Sequence, residues 1–218
     1  MGAGLLQAEH AWFPKTTCDE RCVSGGNPES PLLTAIRTMS RIIAVAAVLC
    51  ALPVLAVPMP GRTGVQRGYC RLMLRCIGVR ISQTGNPIRN LPGVLVVSNH
   101  TSWVDVFAIG AVVPGSFVAR ADLVDWPAIG LAVRMMGVIP IERRSLRKLP
   151  PVVDAVTGRL LEGHTVVAFP EGTTFCGKHN GTFRPAVFQA SIDSGRPAQP
   201  VRLTYRHRDG RPSTVTAF

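Results

Sequence analysis

From Leu91 onward, short apolar runs rich in β-branched residues alternate along the chain with longer amphipathic stretches. The short runs predict strands at 94–98, 116–119, 138–141, 165–169 and 200–205. The longer stretches predict helices at 102–112, 126–136, 151–162 and 184–194, the third ended by Gly163. This β-α-β-α order is typical of a largely parallel sheet with helices on its faces, so the predicted fold class is α/β.

A different pattern precedes these runs. Arg41 and Arg62 bracket Ile42 to Gly61, a stretch of 20 residues without a charge. As a helix it would measure roughly 30 Å, the thickness of a bilayer's hydrocarbon core, so membrane attachment is the favoured interpretation. A buried core helix and a re-entrant segment are the alternatives, the second because three prolines would break the helix early: Pro53, Pro58 and Pro60.

Basic residues follow the apolar stretch at helical spacing. Arg67, Arg71 and Arg75 recur every four residues, which suits an interfacial helix and equally a solvated face of an ordinary one. The positive-inside rule would place this flank in the cytoplasm. The chain is therefore divided into an N-terminal extension expected to be poorly ordered (1–30), a membrane-associated helical segment (31–90) and an α/β domain (91–218).

Composition narrows the choice of partners. The 218 residues are 46% hydrophobic, which excludes disorder, and their net charge of +11 favours a polyanionic partner, either nucleic acid or an anionic membrane. Only 6% of the residues are aromatic and no nucleic-acid-binding motif is present, so nucleic acid is not expected. Cys18 and Cys22 with His10, and Cys176 with His179, lack the paired spacing of a zinc site, so these thiols are interpreted as unremarkable and no metal is expected.

Polar clusters follow three of the predicted strands, where open α/β sheets bind their ligands. The first contains His100 and Asp105, the second Arg143 and Arg144, and the third is the run 170–174. Each has a plain structural interpretation: Ser102-x-x-Asp105 is a capping box, an arginine pair suits a solvated loop, and the third cluster suits a turn. The functional interpretation makes His100 a general base oriented by Asp105, and makes the arginine pair suited to bind phosphate.

Together these residues resemble the glycerolipid acyltransferases, most closely the 1-acylglycerol-3-phosphate acyltransferase branch. His100-x4-Asp105 resembles that family's catalytic motif, and 137–143 resembles its second motif, whose arginine binds the acceptor phosphate. The run 169–173 resembles the third motif, and Pro200-Val201 the fourth. Arg120 stands where many members carry a basic residue. The resemblance covers about 91–205, with the four motifs in order.

The resemblance implies transfer of a fatty acyl group from acyl-CoA or acyl carrier protein to lysophosphatidic acid at the cytoplasmic side of a bacterial membrane. His100 and Asp105 are the expected catalytic residues, with no metal or resident cofactor. The residues expected to bind the acceptor are Arg143, Glu171, Gly172, Thr173 and Arg120. Backbone N–H groups at the start of the helix after His100 are expected to stabilise the oxyanion.

Three departures leave alternatives open. Ala186 stands where family members usually have glycine, residues 1–30 have no recognised counterpart, and the chain ends 13 residues after Tyr205, which suggests a shortened member. The expected acceptor is lysophosphatidic acid, and the alternatives are another lysophospholipid or a lyso-aminolipid. A further alternative is a catalytically inert protein that binds anionic lipid at the membrane surface through its arginine-rich flank.

Overall fold

The computed structural model describes residues 13–22, 30–51, 61–85, 92–125, 130, 137–207 and 209–214. Its centre is a parallel sheet of five strands in the order β3-β2-β4-β1-β5. The strands are β1 (Leu95–Ser98), β2 (Ser116–Arg120), β3 (Ile139–Ile141), β4 (Val166–Ala168) and β5 (Ala198–Val201). The helices are α1 (Pro31–Cys50), α2 (Arg62–Ile77), α3 (Val104–Gly110), α4 (Leu149–Leu161) and α5 (Ala186–Ser194). The predicted α/β class is confirmed.

Helices cover both faces of the sheet. Successive residues of a strand point to opposite sides, so alternate residues of β1 pack against different helices. Leu95 and Val97 of β1 belong to a buried cluster with residues of α4 and α5. Val94 and Val96 belong to a second cluster with Ile109 of α3. β1 is therefore buried on both faces, as central parallel strands in α/β proteins are. A third cluster joins α3 to α2.

The fifth strand was predicted too late in the chain. It spans Ala198–Val201, in register with β1 from Leu95 to Ser98, rather than 200–205. Beyond Ser98, the side chain of Asn99 bonds to the backbone of Leu203 in place of a strand-to-strand hydrogen bond. Its Oδ1 accepts from the Leu203 N–H and its Nδ2 donates to the Leu203 carbonyl. The apolar residues after Val201 therefore belong to a loop that is held by a side chain. The predicted helix at 126–136 lies outside the described residues except for position 130.

The apolar N-terminal helix also differs from its predicted bounds. α1 begins at Pro31, eleven residues before the charge-free stretch, and ends at Cys50. Proline at the first helical position is favourable, and Arg37 and Arg41 are accommodated within the helix. Its large apolar side chains are exposed by 49% to 69%, so α1 is no core helix: Leu32, Leu33, Ile36, Met39, Ile42, Ile43 and Leu49. Its length and composition suffice to cross a membrane.

Candidate active site

His100 and Asp105 meet beyond the carboxyl end of β1. His100 Nδ1 lies 2.9 Å from Asp105 Oδ2, and the Asp105 side chain is completely buried while that of His100 is 15% exposed. The imidazole stacks on the ring of Phe169, with centroids 4.2 Å apart. A buried carboxylate that accepts Nδ1–H fixes the tautomer and leaves Nε2 to take a proton. The predicted pairing of these two residues is thus present in the geometry.

Asp105 also organises the backbone around His100. Its Oδ2 accepts from the N–H groups of Thr101, at 2.6 Å, and Ser102, at 2.9 Å. The Ser102 contact is one half of the capping box, so the structural and the functional interpretation of Asp105 both hold. These two N–H groups are therefore occupied, and the expectation that N–H groups at the start of the helix after His100 stabilise an oxyanion stays a prediction that concerns α3, which begins at Val104.

Tyr205 was missed by sequence reasoning. Its hydroxyl donates to Asp105 Oδ1 at 2.6 Å, so both carboxylate oxygens are bonded. Burial raises the pKa of Tyr205, and the charge of Asp105 and this hydrogen bond raise it further, which keeps the phenol protonated as a donor. The placement depends on the loop after β5, which Asn99 holds to the end of β1. Only the position of Tyr205 near the last predicted strand hinted at it.

Glu171 lies beneath His100 and bonds to the protein backbone. Its Oε2 accepts from the His100 N–H at 2.7 Å and its Oε1 from the Gly181 N–H at 2.9 Å. The His100 carbonyl in turn accepts from the Phe175 N–H at 2.8 Å. Burial raises the pKa of Glu171, and the two N–H donors oppose that shift. Two residues after β4, Glu171 and Phe175, therefore hold the backbone of His100 through hydrogen bonds to its N–H and to its carbonyl.

A cavity of about 520 Å³ opens beside His100. Most of its lining is apolar, and three arginines are among the lining residues: Arg120, Arg143 and Arg184. Of the residues expected to bind the acceptor, Arg120, Arg143 and Gly172 line this cavity, while Glu171 and Thr173 do not. An apolar wall with a few convergent charges suits an acyl chain that carries an anionic head group.

Gly172 allows the close approach of the N-terminal segment to this cavity. Its φ of +74° is unfavourable for other residues, and a Cβ there would lie 3.0 Å from the side chain of Pro14. Pro14 itself lines the cavity. Residues 13–22, part of the extension expected to be poorly ordered, thus contact the α/β domain.

The arginines differ in their surroundings. Arg120 binds Asp122 with two hydrogen bonds, from Nε at 2.9 Å and from Nη2 at 2.5 Å, which offsets part of its charge. Burial lowers the pKa of Arg143 to about 10; the neighbouring Arg120 charge also lowers it, and Asp122 opposes the shift. An anion placed between the two guanidinium groups would relieve their repulsion.

Arg184 is the second residue that sequence reasoning missed. Its Nε is buried and has no hydrogen-bond partner among the described residues. Its backbone N–H donates to the Pro170 carbonyl at 3.0 Å, which fixes it next to the turn at Gly172. In the segment 183–186 the sequence analysis singles out Ala186, where the family usually has glycine, and predicts no role for Arg184. A buried donor without a partner is costly, so an anionic ligand at this position would compensate it.

Among the described residues, the side chains grouped closely enough to hold a metal ion are Cys18, Cys22 and Cys176, and none of them lines the cavity. Beside His100, a histidine-carboxylate pair faces a largely apolar pocket that arginines line. Such a pair can accept a proton from a hydroxyl and return it to a leaving group.

Comparison with known proteins gives concordant results. The sequence model of the acyltransferase family matches residues 80–204. The 1-acyl-sn-glycerol-3-phosphate acyltransferase of Neisseria gonorrhoeae is 38% identical over 137 residues, which are 62% of this chain and 54% of the relative. The lyso-ornithine lipid O-acyltransferase of Rhodobacter capsulatus is 32% identical over 145 residues, 65% of this chain and 51% of the relative. The chain thus spans about half the length of these curated relatives.

A solved structure is similar as well. The crystal structure of the 1-acyl-sn-glycerophosphate acyltransferase PlsC from Thermotoga maritima superposes with a TM-score of 0.59 at 17% sequence identity. The match covers 78% of this chain and 73% of the other. At this identity the likeness establishes the fold.

Proposed function

Because this chain belongs to the acyltransferase family, we propose that it transfers a fatty acyl group from a coenzyme A or acyl-carrier-protein thioester to a lysophospholipid hydroxyl. The proposed acceptor is 1-acyl-sn-glycerol 3-phosphate and the product is phosphatidic acid. The observation that carries the proposal is the His100–Asp105 pair beside a cavity that three arginines line.

The proposed reaction uses His100 as the base. Its Nε2 takes the proton of the acceptor hydroxyl while the hydroxyl oxygen attacks the thioester carbonyl. Asp105 stabilises the imidazolium that forms, and Tyr205 and the Thr101 and Ser102 N–H groups hold the carboxylate in place. The C–O bond forms, the C–S bond breaks, and the imidazolium returns its proton to the thiolate. No covalent enzyme intermediate is needed.

The arginines are proposed to select the acceptor. Guanidinium groups bind phosphate with two parallel hydrogen bonds, and Arg143 and Arg184 line a largely apolar cavity. Glu171 and Thr173 are outside that lining, so we propose that Glu171 positions His100 through its backbone rather than touching the acceptor. Gly172 shapes the turn against Pro14.

The proposed location is the cytoplasmic face of a bacterial membrane. α1 exposes most of its large apolar side chains. Arg41 of α1 lines a groove of about 820 Å³ together with Arg71, Arg75 and Arg80. Arginines flanking an apolar helix favour the cytoplasmic side and the anionic lipids of that leaflet.

The acceptor is tested with lysolipids and two arginine variants. Detergent-purified protein receives acyl-CoA and, separately, lysophosphatidic acid, other lysophospholipids and lyso-ornithine lipid, with products measured by mass spectrometry. We expect phosphatidic acid as the main product. Lyso-ornithine lipid is the second candidate, since several relatives at 30% to 33% identity carry that name.

Arg143→Ala is expected to raise the KM for lysophosphatidic acid at least tenfold, with a smaller change in the donor KM, since it removes a phosphate ligand. Arg144→Ala is the matched control, because that neighbouring side chain is exposed and does not line the cavity. An equal rise in both KM values for Arg143→Ala, or the same rise for Arg144→Ala, would assign Arg143 a structural role.

A further inference from the structure

Three cysteines that are far apart in the sequence meet next to the active site. The sulfur atoms of Cys18, Cys22 and Cys176 all lie within 4.8 Å of one another. Cys18 and Cys22 belong to the N-terminal segment, and Cys176 follows the residue whose N–H holds the His100 carbonyl. Sequence reasoning treated these thiols as unremarkable because neither pair has zinc-site spacing by itself; His10, considered with them, lies outside the described residues.

The backbone after Cys176 turns so that N–H groups bond to the Cys176 sulfur. The Lys178 and His179 N–H groups bond to its sulfur, and its own N–H donates to Cys18 Sγ at 3.3 Å. Gly177 makes the turn possible, since its φ is +82°. N–H groups aimed at a sulfur stabilise a thiolate, the form that binds metals.

We propose that Cys18, Cys22 and Cys176 bind one zinc ion that fastens the N-terminal segment to the loop clamping His100. A tetrahedral zinc ion with Zn–S bonds of about 2.3 Å requires sulfur separations of about 3.8 Å, which a small adjustment of this group provides. Soft thiolate ligands select zinc over magnesium or calcium. The fourth ligand is a nitrogen or oxygen atom, from water or from His179, which stands three residues after Cys176 as zinc ligands often do.

A disulfide is the rival use of these thiols. Any disulfide within a group of three leaves one thiol unpaired, whereas a metal ion uses all of them. All three cysteines are free in the structure. Zinc binding also explains why a segment with one short 3₁₀ turn, Glu20–Cys22, is held against the α/β domain. The proposal concerns metal binding and does not depend on the acceptor or on the acyl transfer.

The first test uses the parent protein. Tag-free protein, purified in detergent without chelators or added metal, is assayed by plasma mass spectrometry and zinc-edge X-ray absorption. We expect about one zinc per chain with three sulfur ligands near 2.3 Å and one lighter ligand. Zinc below about 0.1 per chain would overturn the proposal, as would a zinc environment without sulfur. Non-reduced peptide mapping that shows a disulfide among these three cysteines would also contradict it.

The second test assigns the ligands. Cys22→Ser and Cys176→Ser are each expected to lower the bound zinc at least fivefold, while Cys50→Ser and Cys76→Ser keep it, because those cysteines lie on α1 and α2 away from the group. Chelation of the parent protein is expected to lower its unfolding temperature and to make residues 13–22 accessible to protease. Unchanged zinc in both Cys22→Ser and Cys176→Ser would refute the assignment, and the parent absorption spectrum remains decisive if those variants do not fold.

Discussion

The Asp105 carboxylate accepts four hydrogen bonds in a site without solvent access: from His100, Thr101, Ser102 and Tyr205. Each donor offsets part of the cost of burying the charge. The H-x4-D spacing predicted the first of these contacts and the capping box predicted the third. The Tyr205 contact spans 100 residues of sequence, and no local pattern specifies a contact of that range.

Asp105→Asn is expected to lower kcat by about 10³- to 10⁴-fold while the protein stays folded, because the amide holds the wrong imidazole tautomer. Steady-state rates with lysophosphatidic acid, paired with a thermal unfolding curve, measure both effects. Asp154→Asn on α4 is the control, since that carboxylate is exposed. A folded Asp105→Asn protein within tenfold of the parent rate would remove Asp105 from the mechanism.

Tyr205→Phe tests the second oxygen of Asp105. Loss of a hydrogen bond to a buried charge is expected to lower the free energy of unfolding by about 1.5–3 kcal/mol and kcat by about tenfold, with both KM values unchanged. Tyr69→Phe is the control, because the buried Tyr69 hydroxyl has no hydrogen-bond partner among the described residues. If the two variants behave alike, Tyr205 is only a packing residue.

At the scale of elements, the strands were predicted to within about two residues where burial decides them. β1 and β4 are apolar on both faces and are buried throughout, so hydrophobicity alone marks them. β5 was misplaced because its four residues alternate between exposed and half-buried, while apolar residues continue past its end. Its position depends on register with β1 and on Asn99, and neither is a local property.

The apolar helix α1 yields a prediction at the same scale. Ile36→Asp combined with Ile43→Asp is expected to lower liposome binding at least tenfold in a flotation assay, since a charge near the centre of a membrane helix costs about 2.5–3.5 kcal/mol. Leu161→Asp with Ile192→Asp is the matched control, because these side chains are equally exposed but lie on α4 and α5. Equal flotation of the two double variants would show that α1 does not hold the membrane.

At the scale of the whole molecule, the ends of four strands bring the site together. His100 follows β1, Arg120 ends β2, Arg143 follows β3 and Glu171 follows β4. The rule that parallel sheets bind ligands at their carboxyl edge therefore predicted which clusters converge. The rule does not distinguish a residue that faces the cavity from one that supports it, so the positions of Glu171, Thr173 and Arg184 needed coordinates.

The cluster of Cys18, Cys22 and Cys176 is a second case in which sequence rules do not predict which residues meet. Cys18 and Cys176 are separated by 158 positions. The hydrogen bond from the Cys176 N–H to Cys18 Sγ forms only when the N-terminal segment lies against the loop after β4. Spacing rules for metal sites recognise pairs of ligands that are close in sequence. Here neither Cys18 with Cys22 nor Cys176 with His179 has the spacing that those rules require.

The most direct test of the account compares the parent protein with His100→Ala in a single assay. Both are purified in detergent, shown to be folded by thermal unfolding, and given acyl-CoA with lysophosphatidic acid, and phosphatidic acid is measured by mass spectrometry. The account predicts product from the parent and a loss of at least 10³-fold in His100→Ala, because no other group replaces the base. Near-parental turnover by the folded variant, or no phosphatidic acid from the folded parent protein, would contradict it.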